Sequence, residues 1–214
     1  MSLAIHTFPV GLYQCNCSIV SCSQTKEAII IDPGSDADKI IEKVSKLGLK
    51  VKYLLHTHAH LDHFGATAAV KRYCCDAETV LHREDLELYE AHSQQADLLQ
   101  LPRTEIVPID HYLEDEEEFD FGTNGVKALF TPGHSPGSSC FSLETSEEHI
   151  LFAGDTLFRG AVGRTDLWGG DSATLTKSIK NRLYTLDGGC RVIPGHGPET
   201  SIFHEKNNNP YVQA

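Results

Sequence analysis

The chain has little positive charge and no long hydrophobic run. Its 214 residues include 18 lysines and arginines against 30 aspartates and glutamates, which gives a formal net charge of −12. This balance argues against nucleic acid as a partner, because phosphate backbones are bound by basic faces. No apolar run approaches the roughly 20 residues that a membrane helix needs, and the N-terminus lacks the pattern of a secretory signal. We therefore expect a cytoplasmic protein without a nucleic-acid or membrane partner.

The cysteines show neither a zinc-finger spacing nor an even count. The chain has seven of them, among them Cys15, Cys17, Cys22 and the adjacent Cys74 and Cys75. A chain of this length can bury an ample core without disulfide bonds. We expect free buried thiols in a reducing cytosol, with a redox or metal role for Cys15 and Cys17 as the alternative. Residues 1–214 are predicted to form a single domain.

Strand and helix patterns are mixed in both halves of the chain. Apolar runs that end in turn residues predict strands, and apolar residues at helical spacing predict helices. The predicted strands are Ala4–Val10, Ser18–Cys22, Ala28–Ile31, Val51–Leu55, Ala77–Leu81, Val126–Thr131, Ser138–Leu143, His149–Ala153 and Cys190–Ile193. The predicted helices are Ser35–Leu47, Asp62–Tyr73, Arg83–Leu99 and Ser172–Leu186. The third helix is polar and is expected to be exposed, and the acidic stretch Glu114–Glu118 is predicted to be a solvated turn.

The most informative segment is Thr57–His63, in which three imidazoles and a carboxylate fall within six residues. It directly follows the predicted strand Val51–Leu55. Imidazole and carboxylate are ligands for zinc, iron and manganese. A His-x-His pair that leaves a strand can direct two rings at one ion, and the Asp-His pair behind it can direct its side chains at a second. The segment therefore predicts a metal site that holds a pair of ions.

Further ligand residues follow other predicted strands. His134, Asp155 and His196 each stand just past a strand end, in turns that contain glycine. Loops at one edge of a sheet can converge on a point, which is where α/β enzymes place their chemistry. The full candidate ligand set is His58, His60, Asp62, His63, His134, Asp155 and His196. Asp155 is the natural bridge between two ions because a carboxylate has two oxygens, but spacing alone does not divide the other ligands between them.

These motifs resemble the metallo-β-lactamase superfamily and occur in its order. They are His58-Ala59-His60-Leu61-Asp62-His63, Pro132-Gly133-His134, Gly154-Asp155 and Pro194-Gly195-His196-Gly197. The stretches Phe152–Asp166 and Thr131–Gly137 are similar to the glyoxalase II branch. The ending, with Asn209-Pro210, is most similar to that branch's short bacterial hydroxyacylglutathione hydrolases. The resemblance implies an α+β fold, an αββα sandwich of two mixed β-sheets flanked by helices.

The resemblance also implies how the ligands divide between two divalent ions. One metal would be held by His58, His60 and His134. The other would be held by Asp62, His63 and His196, with Asp155 and a water bridging the pair. Zinc is the first expectation for both ions, and iron and manganese suit the same ligands.

Two further residues are expected to support the site from behind the ligands. In the superfamily, the aspartate that matches Asp32 supports the centre, and a hydrogen bond to a metal-ligating imidazole is the physical reason. His56 is adjacent to the histidine motif but off its pattern, so we expect it to pack or to support the site without binding metal.

The expected reaction is hydrolysis of a small-molecule thioester. Two cations lower the pKa of a shared water, so that hydroxide is present at working pH, and Asp62 and Asp155 are the catalytic residues expected to orient it. A thiol leaving group has a pKa of about 8.5, so no general acid is required. The resemblance favours S-lactoylglutathione, although longer glyoxalase II enzymes hold glutathione with a helical domain that this chain does not show. Arg164 is the candidate for binding a glutathione carboxylate, and pairing with Asp166 is the alternative.

Three other functions fit parts of the pattern. Persulfide dioxygenases share the histidine motif and a Gly-Arg-Thr-Asp loop, but they work with one iron and oxygen. A lactonase, or another hydrolase of small esters or amides, would use the same metal pair. A metal-binding module that has no enzymatic activity would need only the ligand residues.

Overall fold

Two six-stranded sheets form the body of the protein. The computed structural model describes residues 3–213, so Met1, Ser2 and Ala214 of the predicted domain lie outside the described residues. The first sheet contains, in spatial order, β1 (Leu3–Val10), β2 (Cys15–Cys22), β3 (Glu27–Ile31), β4 (Lys50–Leu55), β5 (Glu78–His82) and β6 (His111–Leu113). The second contains β14 (Thr200–Ser201), β13 (Arg191–Pro194), β10 (His149–Gly154), β9 (Ser139–Glu144), β8 (Asn124–Phe130) and β7 (Glu118–Phe121). A short hairpin pairs β11 (Leu157–Phe158) with β12 (Ala161–Val162).

Both sheets mix parallel and antiparallel pairs. In the first sheet, β1 to β3 are antiparallel and β3 to β6 are parallel. In the second, only the β10–β13 pair is parallel. Parallel neighbours end at the same edge of a sheet. The loops after β3, β4 and β5 therefore leave the first sheet at one edge, and those after β10 and β13 leave the second sheet together.

Seven helices are present within residues 3–213. They are α1 (Ala37–Leu47), α2 (Leu61–Phe64), α3 (Thr67–Tyr73), α4 (Leu86–Glu90), α5 (His92–Leu99), α6 (Ser172–Ser178), which continues in a π-helical turn (Ile179–Leu183), and α7 (Ile202–Asn208). In this described part of the chain, no helix has the length and apolar character to cross a bilayer.

The layers are held together by three apolar clusters. One lies between the sheets and joins Ile29 and Leu55 of the first to Phe141 and Phe152 of the second. The other two lie on the outer faces. On one, α1 and α3 cover the first sheet with side chains such as Ile40 and Val70, and on the other, α6 and α7 cover the second with Leu175 and Ile202. The predicted αββα sandwich is therefore confirmed.

The predicted helix Asp62–Tyr73 is divided into α2 and α3. The break falls at Gly65 and Ala66, where the Ala66 amide donates to the carbonyl of Pro33 at 3.0 Å. A Cβ on Gly65 would lie 2.6 Å from the Gly34 carbonyl oxygen, so glycine permits this close approach of two backbones. The chain therefore turns to meet the loop after β3, and helical periodicity alone does not report that contact.

The predicted exposed helix Arg83–Leu99 is wrong in shape and in exposure. The segment forms a 3₁₀ turn (Arg83–Asp85) followed by α4 and α5. Leu88, Tyr89 and Ala96 are buried against Phe64 and the histidine loop. The polar pattern concealed this role, because two of the buried side chains in the segment, Asp85 and Gln95, are themselves polar. The acidic stretch Glu114–Glu118 is a solvent-exposed turn between β6 and β7, as predicted.

Candidate metal centre

All seven predicted ligands meet in the cleft between the ends of the two sheets. His58 and His60 lie in the loop after β4, and Asp62 and His63 lie in the first turn of α2. The other three, His134, Asp155 and His196, follow β8, β10 and β13 respectively. The first sheet therefore supplies four ligands from one continuous segment, and the second sheet supplies three from three separate loops.

The first group of ligands, which we call the imidazole triad, consists of His58, His60 and His134. All three are buried, and one nitrogen of each lies within 4.8 Å of the others. The nearest two atoms are His60 Nδ1 and His134 Nε2, at 2.9 Å. His58 Nε2 is buried and has no hydrogen-bond partner among the described residues. An unpaired buried nitrogen is costly, and a cation at the centre of the triad would satisfy it.

The second group, which we call the acidic triad, consists of Asp62, His63 and His196. Its ligand atoms also lie within 4.8 Å of one another. His63 Nε2 and His196 Nε2 are 3.1 Å apart, and Asp62 Oδ2 is 3.3 Å from His196 Nε2. His63 is fully buried, but the side chains of Asp62 and His196 are 18% and 26% exposed. The acidic triad is therefore the more open of the two.

Asp155 lies between the triads and presents one carboxylate oxygen to each. Its Oδ2 is 3.6 Å from His134 Nε2, and its Oδ1 is 3.5 Å from His63 Nε2. Asp155 Oδ1 is buried without a hydrogen-bond partner in the described structure. Gly195 makes this position possible, because a Cβ there would overlap Asp155 Oδ1. The carboxylate is thus placed where it can bridge two cations.

Backbone carbonyls set the tautomer of two histidines. His134 Nδ1 is 2.8 Å from the Arg164 carbonyl oxygen, and His196 Nδ1 is 2.8 Å from that of Tyr13. A carbonyl oxygen can only accept a hydrogen bond, so each Nδ1 carries the proton and each neutral ring keeps a lone pair on Nε2. Both lone pairs point into the centre, as metal ligation requires.

Asp32 sets the other two tautomers. Its Oδ2 accepts from His63 Nδ1 at 3.0 Å and from the Thr57 hydroxyl at 2.8 Å. The Thr57 oxygen in turn accepts from His58 Nδ1 at 3.0 Å. His58 and His63 therefore also direct Nε2 lone pairs inward. In the neutral rings, the lone pairs of His63 and His196 face each other across 3.1 Å, an arrangement that a shared cation relieves. The donor set therefore fits bound metal ions.

The two triads hold protons differently. Burial lowers the pKa of His58 well below its usual value, and burial, followed by the proximity of His134, lowers the pKa of His60 to about 3. Burial acts in the same direction on His63 and His196. The pKa values of both rings are nevertheless raised. At His63 the neighbouring Cys15 sulfur, then Asp155 and Asp62, outweigh burial, and at His196 the hydrogen bond to Asp62 and the charge of Asp155 do so.

The two expected supporting residues have different contacts. Asp32 bonds directly to the imidazole of His63 and also accepts from the Thr57 amide at 2.8 Å, so it has the predicted supporting contact. His56 is buried, but its ring bonds away from the ligands, to the Val80 carbonyl and the Thr67 hydroxyl, each at 2.8 Å. His56 therefore ties the end of β4 to β5 and α3 and packs behind the centre.

The sequence analysis missed Asp85, which joins two ligand loops. Its buried carboxylate accepts from the Ala59 amide at 2.8 Å, between His58 and His60. It also accepts from the Ser135 hydroxyl at 2.8 Å and the Gly137 amide at 2.5 Å, just beyond His134. Burial raises the pKa of Asp85, and these hydrogen bonds act against that rise. Asp85 thus supports all three members of the imidazole triad through their loops.

Gln95 is the second residue that the sequence analysis missed. Its side-chain oxygen accepts from the Leu61 amide at 2.9 Å, and its amide group donates to the carbonyls of Ala59 and Leu88 at 2.9 and 2.7 Å. These bonds attach the histidine loop to α4 and α5. No local pattern distinguishes this glutamine from the exposed ones beside it, so only the long-range contacts reveal its role.

Arg164 contacts the centre through its backbone. Its carbonyl oxygen holds His134, whereas its guanidinium makes two 2.8 Å hydrogen bonds to Asp166. Both side chains are exposed. The structure therefore has the loop-shaping pair that was the alternative to substrate binding.

The cysteines in the described residues are free, and five of the seven are buried. Cys15 lies closest to the centre, with its sulfur 3.5 Å from His63 Nδ1. Burial raises the pKa of Cys15 to about 12, so the thiol is protonated near neutral pH. Cys15 faces the Nδ1 side of His63, whereas His63 Nε2 faces His196, so the thiol lies behind the acidic triad and not within it.

Comparisons with known proteins agree with the fold and identify the family. The metallo-β-lactamase superfamily model matches residues 10–196. Hydroxyacylglutathione hydrolase GloC of Haemophilus influenzae is 36% identical over 211 residues, which cover 98% of each chain. The probable metallo-hydrolase YqgX of Bacillus subtilis is 36% identical over 207 residues, 96% of each chain.

Two solved structures are similar over nearly their whole length. BLEG-1 B3 metallo-β-lactamase superposes with a TM-score of 0.90 at 36% identity and covers 99% of this chain and 100% of its own. TTHA1623, in a di-iron-bound form, superposes with a TM-score of 0.84 at 35% identity and covers 97% and 100%.

The fold and the clustered histidines and aspartates define a metallo-hydrolase scaffold whose side chains could bind metal ions. The chain belongs to the metallo-β-lactamase superfamily, as its motifs indicated.

Proposed function

We propose that the protein hydrolyses a small-molecule thioester, with S-lactoylglutathione as the first candidate, at a centre of two divalent metal ions. The observation that carries this proposal is the position of Asp155, which directs one oxygen to each triad. A single metal would leave one of these oxygens without a cation. The imidazole triad holds one ion in this proposal, and the acidic triad holds the other.

Two bound divalent cations supply a water acidified toward neutrality and a Lewis acid for the carbonyl oxygen. The chain's own carboxylates then orient the attacking water. Both oxygens of Asp155 would be used to hold the two ions. Asp62 Oδ2 lies at the more open side of the centre, so Asp62 is the carboxylate that can accept a proton from the water. A thiolate leaves without protonation near neutral pH. The proposal therefore requires no general acid.

The substrate class is supported by similarity to a protein named hydroxyacylglutathione hydrolase. Zinc is our first choice for the ions. Iron and manganese accept the same ligands, and the di-iron form of TTHA1623 supports iron. We further propose a cytoplasmic protein that acts on small molecules and not on nucleic acid. Binding of a glutathione carboxylate by Arg164 would require its guanidinium to leave Asp166.

The test is a reconstitution of metal-depleted protein with zinc, iron or manganese, followed by elemental analysis. S-lactoylglutathione, a lactone and a β-lactam are then compared as substrates at equal concentration. We expect about two ions per chain and fastest turnover of the thioester. A His204→Ala variant is a control for the loss of a histidine outside the ligand set, because His204 is exposed on α7. Its metal content and turnover should match those of the original protein.

Three results would contradict the proposal in different ways. Faster turnover of the lactone or the β-lactam would indicate another hydrolase. Oxygen uptake with glutathione persulfide, confined to iron-loaded protein, would indicate a dioxygenase. Metal binding without turnover of any of these compounds would indicate a binding module.

A further inference from the structure

An apolar groove lies directly beside the metal centre. Its lining consists of Leu88, Leu98, Leu99, Leu167 and Trp168 together with His60, Gln94 and Gln95, and its volume is about 110 Å³. His60 belongs to both the groove and the metal centre. Its ring lines the groove, while its Nδ1 faces His134 Nε2 at 2.9 Å within the imidazole triad. A substrate whose reacting carbonyl lies at the centre therefore has this groove within reach.

The groove exposes large apolar side chains to solvent. Leu98 is 75% exposed and Trp168 is 55% exposed. They come from different parts of the chain, α5 and the loop before α6, yet they border the same concavity. Concave apolar surfaces of this kind mark ligand sites. Burial of these two side chains by a ligand would be favourable because it removes apolar area from water.

The groove offers little to a charged or strongly polar group. None of the described residues that line it is a lysine or an arginine. The amide of Gln95, at its floor, is already bonded to the backbone at Leu61, Ala59 and Leu88. Nearby, Arg103 is paired with Asp97 at 2.9 Å. A carboxylate or ammonium group placed in the groove could reach the exposed amide of Gln94, but the residues that line the groove offer it no lysine, arginine, aspartate or glutamate, so it would lose hydration without gaining an opposite charge.

We propose that this groove binds the acyl group of the substrate and that this group is apolar, a short alkyl chain or a small aromatic ring. The inference rests on the proposed thioester hydrolysis and narrows its substrate class, because it places thioesters of apolar acids ahead of S-lactoylglutathione, whose acyl group carries a hydroxyl. A charged thiol such as glutathione does not fit the groove, so the thiol half lies outside it and the acyl half lies within. A cavity of about 150 Å³ with an apolar lining holds a molecule of benzene, so about 110 Å³ suits a short alkyl chain.

The reaction products provide a probe of the same groove. Hydrolysis forms a bond between the water oxygen and the acyl carbon, breaks the carbon–sulfur bond, passes one proton of the water to the departed thiolate, and releases the other proton to solvent. The products are a thiol and an alkanoate. The alkanoate keeps the acyl chain, and its carboxylate lies where the reacting carbonyl was. Hexanoate and acetate are therefore a long and a short probe with the same head group.

The first experiment measures kcat/KM of the metal-loaded protein for the acetyl, butanoyl, hexanoyl and lactoyl thioesters of glutathione. The thiol is constant, so differences come from the acyl group. We expect kcat/KM to rise about fourfold for each methylene that the groove buries. We expect the polar lactoyl group to fall below butanoyl. A flat series with measurable turnover would overturn the groove assignment and leave thioester hydrolysis standing.

The second experiment needs no turnover, because Trp168 is the only tryptophan in the chain. Its fluorescence is followed while hexanoate or acetate is added to metal-loaded protein. We expect a saturable change with hexanoate at a concentration at least tenfold below that needed for acetate. Trp168→Phe should remove the signal. No response to hexanoate, or equal affinities for the two acids, would overturn the inference even if no thioester were hydrolysed.

A matched pair of variants locates the effect. Leu98→Ser removes one wall of the groove, and we expect it to weaken hexanoate binding about tenfold. Phe203→Ser removes a side chain of similar exposure, 67%, from α7, outside the groove. Its hexanoate affinity should match that of the original protein. Equal losses in both variants would contradict a site at Leu98.

Discussion

The imidazole triad and the acidic triad share a bridging aspartate, yet they differ in burial, charge and proton affinity. The imidazole triad is buried, and burial lowers the pKa of His58 and His60. The acidic triad is more open, contains Asp62, and has raised pKa values at His63 and His196. Protons therefore compete with a metal ion more strongly at His63 and His196 than at His58 and His60. The two ion positions are not equivalent.

The supports behind the triads differ as well. Asp85 reaches the imidazole triad only through the loops that carry its histidines. Asp32 bonds directly to His63 of the acidic triad, and it reaches His58 through the Thr57 hydroxyl. Asp85 thus supports the imidazole triad, and Asp32 supports both triads. This difference can be tested separately from the difference in proton affinity.

The largest effect is expected from removal of the one residue that the triads share. Asp155→Ala removes one ligand oxygen from each of the two triads. We expect metal content to fall well below two ions per chain, and kcat/KM for the thioester to fall by about 10³ or more, the range for loss of a group that stabilises developing charge. Elemental analysis and the thioester assay measure the two quantities. Full activity in a metal-replete Asp155→Ala protein would contradict the bridging role.

Replacement of the supporting carboxylates should separate the triads. Asp85→Asn should weaken metal binding at the imidazole triad about 10- to 100-fold, as is typical for residues that orient ligands. Asp32→Asn should weaken both sites by a similar factor. Metal titration followed by calorimetry resolves the two binding events, and Asp97→Asn is the control because Asp97 is exposed and pairs with Arg103, which is not a ligand. Loss at the same single site in both variants would show that the supports do not act as described.

Lowering the pH should remove the two ions in sequence. A metal ion binds neutral imidazole, so a raised pKa makes protons compete with it as the pH falls. The pKa values of His63 and His196 are raised, whereas that of His60 is about 3. Between pH 8 and 5.5 we expect loss of about one ion per chain from the acidic triad, with the other retained. Metal content after equilibration at fixed free zinc measures this, and simultaneous loss of both ions would contradict it.

The smallest effect is expected at Arg164, whose side chain lies outside both triads. Its exposed pair with Asp166 should contribute little to the free energy of unfolding, because solvent screens it. If the guanidinium also binds a glutathione carboxylate, Arg164→Ala should raise KM for S-lactoylglutathione about tenfold with kcat unchanged. Asp166→Asn is the companion variant, because it frees the guanidinium and should lower KM. An unchanged KM in Arg164→Ala would limit Arg164 to shaping the loop.

Local pattern was sufficient to predict most of the architecture. The strands that precede the histidine motif and Asp155 were predicted from apolar runs that end in turn residues. Such runs are informative because strands buried on both faces have continuous apolar sequences. The short strands β6, β7, β11, β12 and β14 and the helix α7 were missed. Segments of two to seven residues carry too little periodicity to be distinguished from loops. Partners elsewhere in the fold, such as β8 for β7, define them.

The supports of the centre depended on contacts that no local pattern reports. Asp85 lies 26 residues from Ala59 and 50 from Ser135 along the chain. Gln95 lies 34 residues from Leu61. In the sequence, each has the pattern of an ordinary polar residue on a surface helix. In the structure, α4 and α5 pack over the histidine loop and bring both residues into contact with it. The hydrogen bond between the Arg164 carbonyl and His134 could not be predicted either, because every residue has a backbone carbonyl and its identity gives no information about that contact.

The sequence by itself determined the ligand types, their order and the strand ends that carry them, because side-chain chemistry and apolar periodicity are local properties. Only the tertiary structure decided how those ligands are placed. It directed one oxygen of Asp155 to each triad, turned four Nε2 lone pairs inward, and made the two triads unequal in burial and charge. It also placed Leu98 and Trp168 beside His60. Such placement results from the packing of two sheets and the loops between them, which brings together residues far apart in the chain.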